Sequence, residues 1–371
     1  YGPTISGCMD SLASNYDPLS NLDDSSCIYL TYVPDDNFEN WLETNGYGDD
    51  VTNNNYVFTN RIDTVENLYV GFLGIQDLTG IEDFIMLRDL RCFGWNNVLS
   101  SLDVSHNYYL ESLMIGQNLI SGTLDVSNNP NLTFLDCDGA YLDSINLGNT
   151  NSLEYLYCDN SQISNIDVHL HLDLKALTIS NNNLTSLDVT NNIYLENLHC
   201  GSNNSLNIDV SHNTNLLSLH CGDLNLDSID LSNNPNLEML NIQQNNFTKI
   251  NLENNILLKQ LWCQQNNLDS LDLSNNILLE EIRCEQNNLT TLDLSNNVGL
   301  DDLRCENNQL SSLNLKNGHN YNLSNNGASY IRTINNPNLF CIDVDDPNDP
   351  FWTGNWFEYD PWTSVSSSCS V

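Results

Sequence analysis

Leucine returns along this chain with a period of 21, at Leu132, Leu153, Leu174, Leu195, Leu216, Leu237, Leu258, Leu279 and Leu300, with Leu87 and Leu110 ahead of them at slightly longer spacing. Each period reads L-x-x-L-x-C-x-x-N-x followed by L-x-x-L-D-L-S-N-N-x-x, as in Leu258 to Asn276, so one short apolar pattern occurs twice per period. Positions 1, 4 and 6 of each half are apolar and point inward, while the residues between them point out, because side chains of an extended segment alternate between faces. One such unit cannot bury its apolar face alone. Units of this kind close a core by stacking on their neighbours. The pattern therefore predicts a β-rich solenoid of about eleven right-handed coils, with two short strands per coil assembling into two short parallel sheets. At roughly 4.8 Å per strand the array would be on the order of 50 Å long. Asparagines at position 9, among them Asn203, Asn245, Asn266, Asn287 and Asn308, are placed to bond backbone groups of the turn and of the next coil that would otherwise be buried unpaired.

The repeats occupy 87–320. Ahead of them the sequence divides into a small acidic module at 1–30 and an N-terminal cap at 31–86; a C-terminal cap follows at 321–371. Of twelve cysteines, Cys8 and Cys27 bracket a short polar loop and Cys341 and Cys369 bracket the C-terminal segment. Both pairs read as local disulfides of an oxidising compartment. The other eight, Cys92, Cys137, Cys158, Cys200, Cys221, Cys263, Cys284 and Cys305, all fall at the inward position 6. Parallel side chains on stacked strands do not give the disulfide torsion, so these are expected to be free thiols serving as small hydrophobes. The His199-Cys200 and His220-Cys221 pairs suggest zinc, but alternation sends His out and Cys in.

Charge narrows the partners. Ten Lys and Arg against 49 Asp and Glu leave a formal charge of -39, which sets nucleic acid aside. No run of 18 apolar residues occurs, so no membrane-spanning helix is expected. There is no phosphate loop, dinucleotide fingerprint or H-E-x-x-H, and a repeating surface of Asp and Asn offers no nucleophile with its base. An enzyme is not expected.

The 21-residue pattern resembles the nested class of bacterial leucine-rich repeats, in which two near-identical halves form one coil. Val33-Pro34-Asp35-Asp36-Asn37-Phe38-Glu39-Asn40-Trp41-Leu42 resembles the helical N-cap of secreted leucine-rich-repeat proteins of Bacteroidetes, with Asp35 or Asp36 capping the helix and Phe38, Trp41 and Leu42 covering the open core. Asn338 to Asp346 resembles the disulfide-closed C-cap of the same family, and residues 7–27 resemble a small disulfide module found beside such repeats. The resemblance implies an extracellular or outer-surface protein used for binding and adhesion.

Two sets of outward residues are candidates for chemistry. The second half of the repeat carries a column of aspartates, Asp103, Asp125, Asp167, Asp188, Asp209, Asp230, Asp272 and Asp293, with Asn146, Asn251 and Asn314 in the gaps. Each is expected to cap the backbone of its own Ser-Asn-Asn turn, with calcium along the ladder as the alternative. Calcium is also the cofactor considered for Asp17, Asp23 and Asp24 in the module and for Asp343, Asp345 and Asp346 in the C-cap. The first half varies instead of repeating. Its columns 3 and 5 place Arg91, Phe134, Tyr155, Tyr157, His199, His220, Trp262, Arg283 and Arg304 on one stripe. Tyr, Trp and Arg are typical interface anchors, and the stripe is the expected binding surface for a protein or glycan ligand. Plain cross-strand packing is the alternative for the stripe, and self-assembly into an extracellular layer or filament the alternative function.

Overall fold

A computed structural model describes residues 3–148, 150–318 and 330–369. They fall into two compact units, Tyr1–Ile163 and Ser164–Val371. The expected boundary between repeats and C-terminal cap, at positions 320 and 321, lies outside the described residues.

The first unit opens on a loop closed by a Cys8–Cys27 disulfide, with short parallel strands Ser6–Gly7 and Leu22–Asp23. An antiparallel pair, Leu30–Tyr32 with Tyr56–Phe58, follows and encloses the helix Asp36–Thr44. Asp35 starts that helix: its Oδ1 accepts the N–H groups of Asn37 and Phe38 at 3.0 Å each, satisfying two donors the first turn leaves free. Its Oδ2 accepts the N–H groups of Gln76 and Asp77 and so ties the helix to the first coil. Phe38 and Leu42 are fully buried, with Phe38 6.2 Å from the ring of Phe84. Trp41 departs from expectation. It stacks half-buried on Tyr47 at 6.0 Å, because the buried arc of the helix runs from Phe38 and Leu42 towards Glu39, whose Oε1 accepts the N–H of Asn54.

Five strands then stack in parallel, Asn67–Tyr69, Asp89–Arg91, Ser112–Met114, Phe134–Asp136 and Tyr155–Tyr157, with Leu68, Leu90, Leu113, Leu135 and Leu156 in register. The first of these lies a coil ahead of Leu87. Val65, Leu68 and Val70 supply the same inward pattern, but without the cysteine and asparagine that mark the later coils.

In the second unit nine strands stack in the same way: Ala176–Thr178, Asn197–His199, Ser218–His220, Met239–Asn241, Gln260–Trp262, Glu281–Arg283, Asp302–Arg304, Tyr330–Arg332 and Phe357–Glu358. Leu198, Leu219, Leu240, Leu261, Ile282 and Leu303 stay aligned, each one full period from the last. The last two strands belong to the C-terminal segment, which continues the coil after the repeat has ceased to be regular. A Cys341–Cys369 disulfide closes it.

The second sheet is present only in part. Ser121–Asp125 pairs with Tyr141–Asn146 in the first unit, and Thr291–Asp293, Ser312–Asn314, Cys341–Asp343 and Ser364–Ser366 form a sheet in the second. Every one of these pairs sets Asp against Asn or Ser: Asp125 with Asn146, Asp293 with Asn314, Asn314 with Asp343, Asp343 with Ser366. Among the described residues no neighbouring Asp–Asp pair of this column forms a ladder. Carboxylates one strand spacing apart repel, whereas Asn314 donates its amide to Asp293 at 3.0 Å. Relief of that repulsion is necessary without being sufficient, since Asp230, Asn251 and Asp272 lie outside any strand.

Two asparagine ladders run through the turns. In the first half, Asn266 donates to the carbonyls of Ile242 and Cys263 and accepts the N–H of Phe247; Asn203, Asn287 and Asn308 repeat the arrangement. The coil so reached is the preceding one, not the next, because the side chain leans back over the turn it follows. The second ladder, which includes Asn213, Asn234, Asn255 and Asn276, donates to two carbonyls of the preceding coil.

All eight repeat cysteines are buried and unbridged. Burial pushes the Cys92 thiol up to about 12 and raises Cys221 and Cys284 as well, so they are poor nucleophiles in the folded chain. A thiol reagent should find almost nothing to label in the native protein and eight thiols after denaturation without reductant. A denatured count of four or fewer would mean that neighbouring coils are bridged.

Candidate functional site

The polypeptide presents side chains outward along the continuous strands, where columns 3 and 5 alternate with the buried leucines. In the first unit this face brings Phe134, Tyr155 and Tyr157 together, with ring centroids 6.0 Å and 5.4 Å from Phe134. Asp136 and Asp138 sit among them. Burial raises both carboxyls above the usual range. Asp136 accepts the N–H of Asp138, and Asp138 accepts the N–H of Asp159. Neither has a cationic partner among the described ion pairs. Arg91 lies 4.7 Å over the ring of Tyr69 and pairs with Asp89 at 2.7 Å. Phe72, Phe93 and Trp95 project nearby, the first two edge to face at 5.4 Å and Trp95 80% exposed.

In the second unit the same face carries His199 and His220, stacked at 3.9 Å. Burial holds both imidazoles below their ordinary value, His220 at about 4 with the charge of His199 contributing. Both are therefore neutral at pH 7, and their cysteine neighbours point into the core. Two coils on, Trp262 forms a locked group. Its Nε1–H donates to Glu281 at 3.0 Å, Arg283 donates to the same oxygen at 2.6 Å, and the Arg283 guanidinium lies 4.5 Å over the indole. Arg304 stands beside Asp302 at 3.5 Å, and Arg332 lies between Glu306 at 3.3 Å and Glu358 at 3.1 Å.

All nine stripe residues thus face outward, half-buried by their neighbours. Two other column-5 residues, Thr178 and Asn241, are nearly covered. The sequence pattern did not single out Tyr69, Phe72, Phe93, Trp95, Tyr330, Arg332 or the carboxylates that hold the arginines. One signal for the last was present: Asp89-Leu90-Arg91, Glu281-Ile282-Arg283 and Asp302-Leu303-Arg304 each place an acid two positions before the arginine, on the same face of the strand.

The aspartate column caps its own turns. Asp103, Asp125, Asp188, Asp209, Asp230 and Asp272 each accept the backbone N–H two positions on. Hydrogen bonds from that Ser or Thr hydroxyl, then from its N–H, hold Asp103, Asp188, Asp230 and Asp272 below the usual carboxylate range. Stability from these groups is present above the unfolded value and lost as pH falls through the folded one; at such exposed positions it is small. Asp17, Asp23, Asp24 and Asp346 likewise accept local turn N–H groups, Asp343 accepts that of Cys369, and Asp345 that of Gly318. Among the described residues no three His, Cys, Asp or Glu side chains converge on a metal position, and no helix is long and apolar enough to cross a membrane.

Solved structures with this architecture include the functional domain of InlJ from Listeria monocytogenes, described as including a cysteine ladder. It is 26% identical, with a TM-score of 0.73 over 89% of this chain and 80% of that one. The fold is a leucine-rich-repeat solenoid. In this chain the internal column of Cys92 and the seven that follow stands at equivalent positions of the coil. An internalin, InlF, from the same species matches over 92% of this chain and 97% of its own at 18% identity and a TM-score of 0.55. The leucine-rich-repeat ectodomain of an Arabidopsis thaliana membrane receptor kinase, solved in complex with a Casparian strip integrity factor, matches over 76% of this chain and 39% of its own, at 19% and 0.55. No protein-family model and no curated protein matches the sequence.

Proposed function

We propose that this solenoid is a secreted or surface-exposed recognition protein that binds a protein partner through the outward face of its continuous strands. The observation that carries the reading is the Trp262–Glu281–Arg283 group. An indole, a carboxylate and a guanidinium are fixed against one another on an otherwise variable surface, so little side-chain entropy remains to be lost on binding. Aromatic and arginine side chains held in this way are the usual energetic centres of interfaces. The first unit adds an aromatic cluster around two carboxylates without a cationic partner among the described ion pairs, a complement to lysine or arginine of a basic partner. Two disulfides favour an oxidising compartment, and one structural neighbour is itself described in complex with an integrity factor.

A glycan ligand is the second reading, favoured by the open Phe134, Tyr155 and Tyr157 platform with Asp136 and Asp138 as hydroxyl acceptors. Screening the intact chain against arrays of surface proteins and glycans tests both. Trp262→Ala, Arg283→Ala and Tyr157→Ala should each weaken a ligand found in this way by about 2 kcal/mol, roughly thirtyfold. Asp188→Ala, in the turn column, should leave binding unchanged. Parental affinity in a folded triple variant would remove the stripe from recognition, and early melting of that variant would make it packing.

A further inference from the structure

Among the outward rings of the first unit, Phe72 stands on a backbone that resists it. Its φ is 62°, in the left-handed region where a bulky side chain is an outlier. The conformation itself belongs to the repeat: four residues past the central buried residue of each strand from Asp89–Arg91 to Tyr330–Arg332, φ lies between 54° at Asn181 and 111° at Gly94. Those positions hold Gly, Asn, Gln, Ser or Asp and no ring. The turn thus requires the conformation and not the phenyl group. Burial does not offset the strain either, because Phe72 is 56% exposed. Its ring lies across Gly94 of the next coil, where a Cβ would come within 2.4 Å of Cδ1 and Cε1, and its N–H donates to the Phe93 carbonyl at 3.2 Å. Phe93 meets it edge to face, and the exposed Trp95 follows in the same turn. Strain held under an exposed aromatic patch points to a contact made outside the chain.

The charges beside the patch say what covers it. Gly94 donates its N–H to the Gly116 carbonyl on the following coil at 3.2 Å, and the Asp136 carboxylate lies against Gly116, 3.2 Å from where a Cβ would stand. Ring and carboxylate are therefore anchored on neighbouring coils, about 4.8 Å apart. Every Lys or Arg of this unit is already engaged: Arg61 with Asp50, Arg88 with Glu111 and Arg91 with Asp89. Asp and Glu outnumber them several-fold, and Asp136 and Asp138 have no cation among the described ion pairs. A second copy of the chain would bring the same excess of carboxylates to the patch, so repulsion opposes self-association there. A basic apolar segment satisfies both the rings and the unpaired carboxylate.

We propose that Phe72, Phe93 and Trp95, with Asp136, form a docking edge for a basic apolar segment of a partner protein. An apolar side chain packs on the rings, and a lysine or arginine adjacent to it or next but one reaches Asp136 across about one coil spacing. The rings lie in the turn beyond columns 3 and 5, so the edge extends the proposed recognition surface and rests on that reading only in that this face meets a protein.

Phe72→Asn tests it in the full chain, since Asn160 and Asn181 hold the same turn position. F72N should melt no lower than wild type, because the strain is relieved and little burial is lost. A melting temperature several degrees lower would make the ring part of the packing and overturn the edge. If F72N does not fold, Phe72→Gly, the residue found at Gly94 and Gly139, takes its place. Random twelve-residue peptides displayed on phage and panned on the intact chain supply the probe. Enriched sequences should place a large apolar residue adjacent or next but one to Lys or Arg. Made synthetically, they should bind wild type about tenfold or more tightly than F72N or Trp95→Ala. Asp136→Asn should weaken the same peptides but not their forms with glutamine in place of the basic residue. Enrichment without this pattern, or equal affinity for wild type, F72N and W95A, would sink the proposal. Peptide binding that is lost in Trp262→Ala instead would also sink it, while leaving the recognition reading standing on the second unit.

Discussion

Asn266→Ala is expected to lower unfolding stability by about 2–3 kcal/mol, since a buried backbone N–H left unpaired costs about 1–3 kcal/mol and the lost side-chain hydrogen bonds add to it. The amide of Asn266 donates to Ile242 and Cys263 and its carbonyl accepts Phe247, all in the buried turn between two coils. Removing it strands the Phe247 N–H where water does not reach, while the Ile242 and Cys263 carbonyls each keep one donor, from Asn245 and Asn287. Stacked coils depend on their neighbours, so the loss should appear as an early urea transition that divides the array near this coil. Asn267→Ala, next in the chain and exposed, should fall within about 0.5 kcal/mol of wild type. A cost below about 1 kcal/mol at Asn266 would mean that the ladder satisfies nothing its neighbours do not.

The double change Cys341→Ser with Cys369→Ser is expected to cost roughly 3.5 kcal/mol, the chain entropy released by opening a loop of sequence separation 28. Its effect should be local. The strand Ser364–Ser366 is held on Cys341–Asp343, the Cys369 N–H donates to Asp343, and Lys316 reaches the Ser367 carbonyl. With the bridge gone, this last strand is held to the coil chiefly by its ladder and those few hydrogen bonds. Hydrogen exchange should then lose protection across 357–366 while Gln260–Trp262 and Glu281–Arg283 keep theirs. Uniform loss of protection along the second unit would show that the cap governs the whole stack instead of its own end.

Much of this architecture was legible before any coordinates, and the reason is repetition. A side chain one full period from its like must meet the same surroundings, so Leu258, Leu261, Cys263 and Asn266 announce their burial by recurring. The outward stripe could be read for the opposite reason, because nothing in the stack obliges those positions to repeat. Where repetition fails, the reading fails with it. The coil at Val65, Leu68 and Val70 lacks the cysteine and asparagine, and the strands Tyr330–Arg332 and Phe357–Glu358 follow spacings that the regular period does not contain.

What the sequence by itself determined is which residues face the core, which face out, and that their neighbours lie one period away. Pairings within a strand and between adjacent periods, such as Asp89 with Arg91 or Trp262 with Arg283, follow from alternation and register once those are known. Only the tertiary structure decided how the outward charges are shared out. Arg332 is held by Glu306 before it and by Glu358 after it, both farther along the chain than one regular period, so coils of irregular length set the pairing. It also decided where the second sheet forms, because that depends on how closely two coils approach against the repulsion of their aspartates. Periodicity fixes direction, but the distance between like charges is a balance of packing and electrostatics over the whole stack.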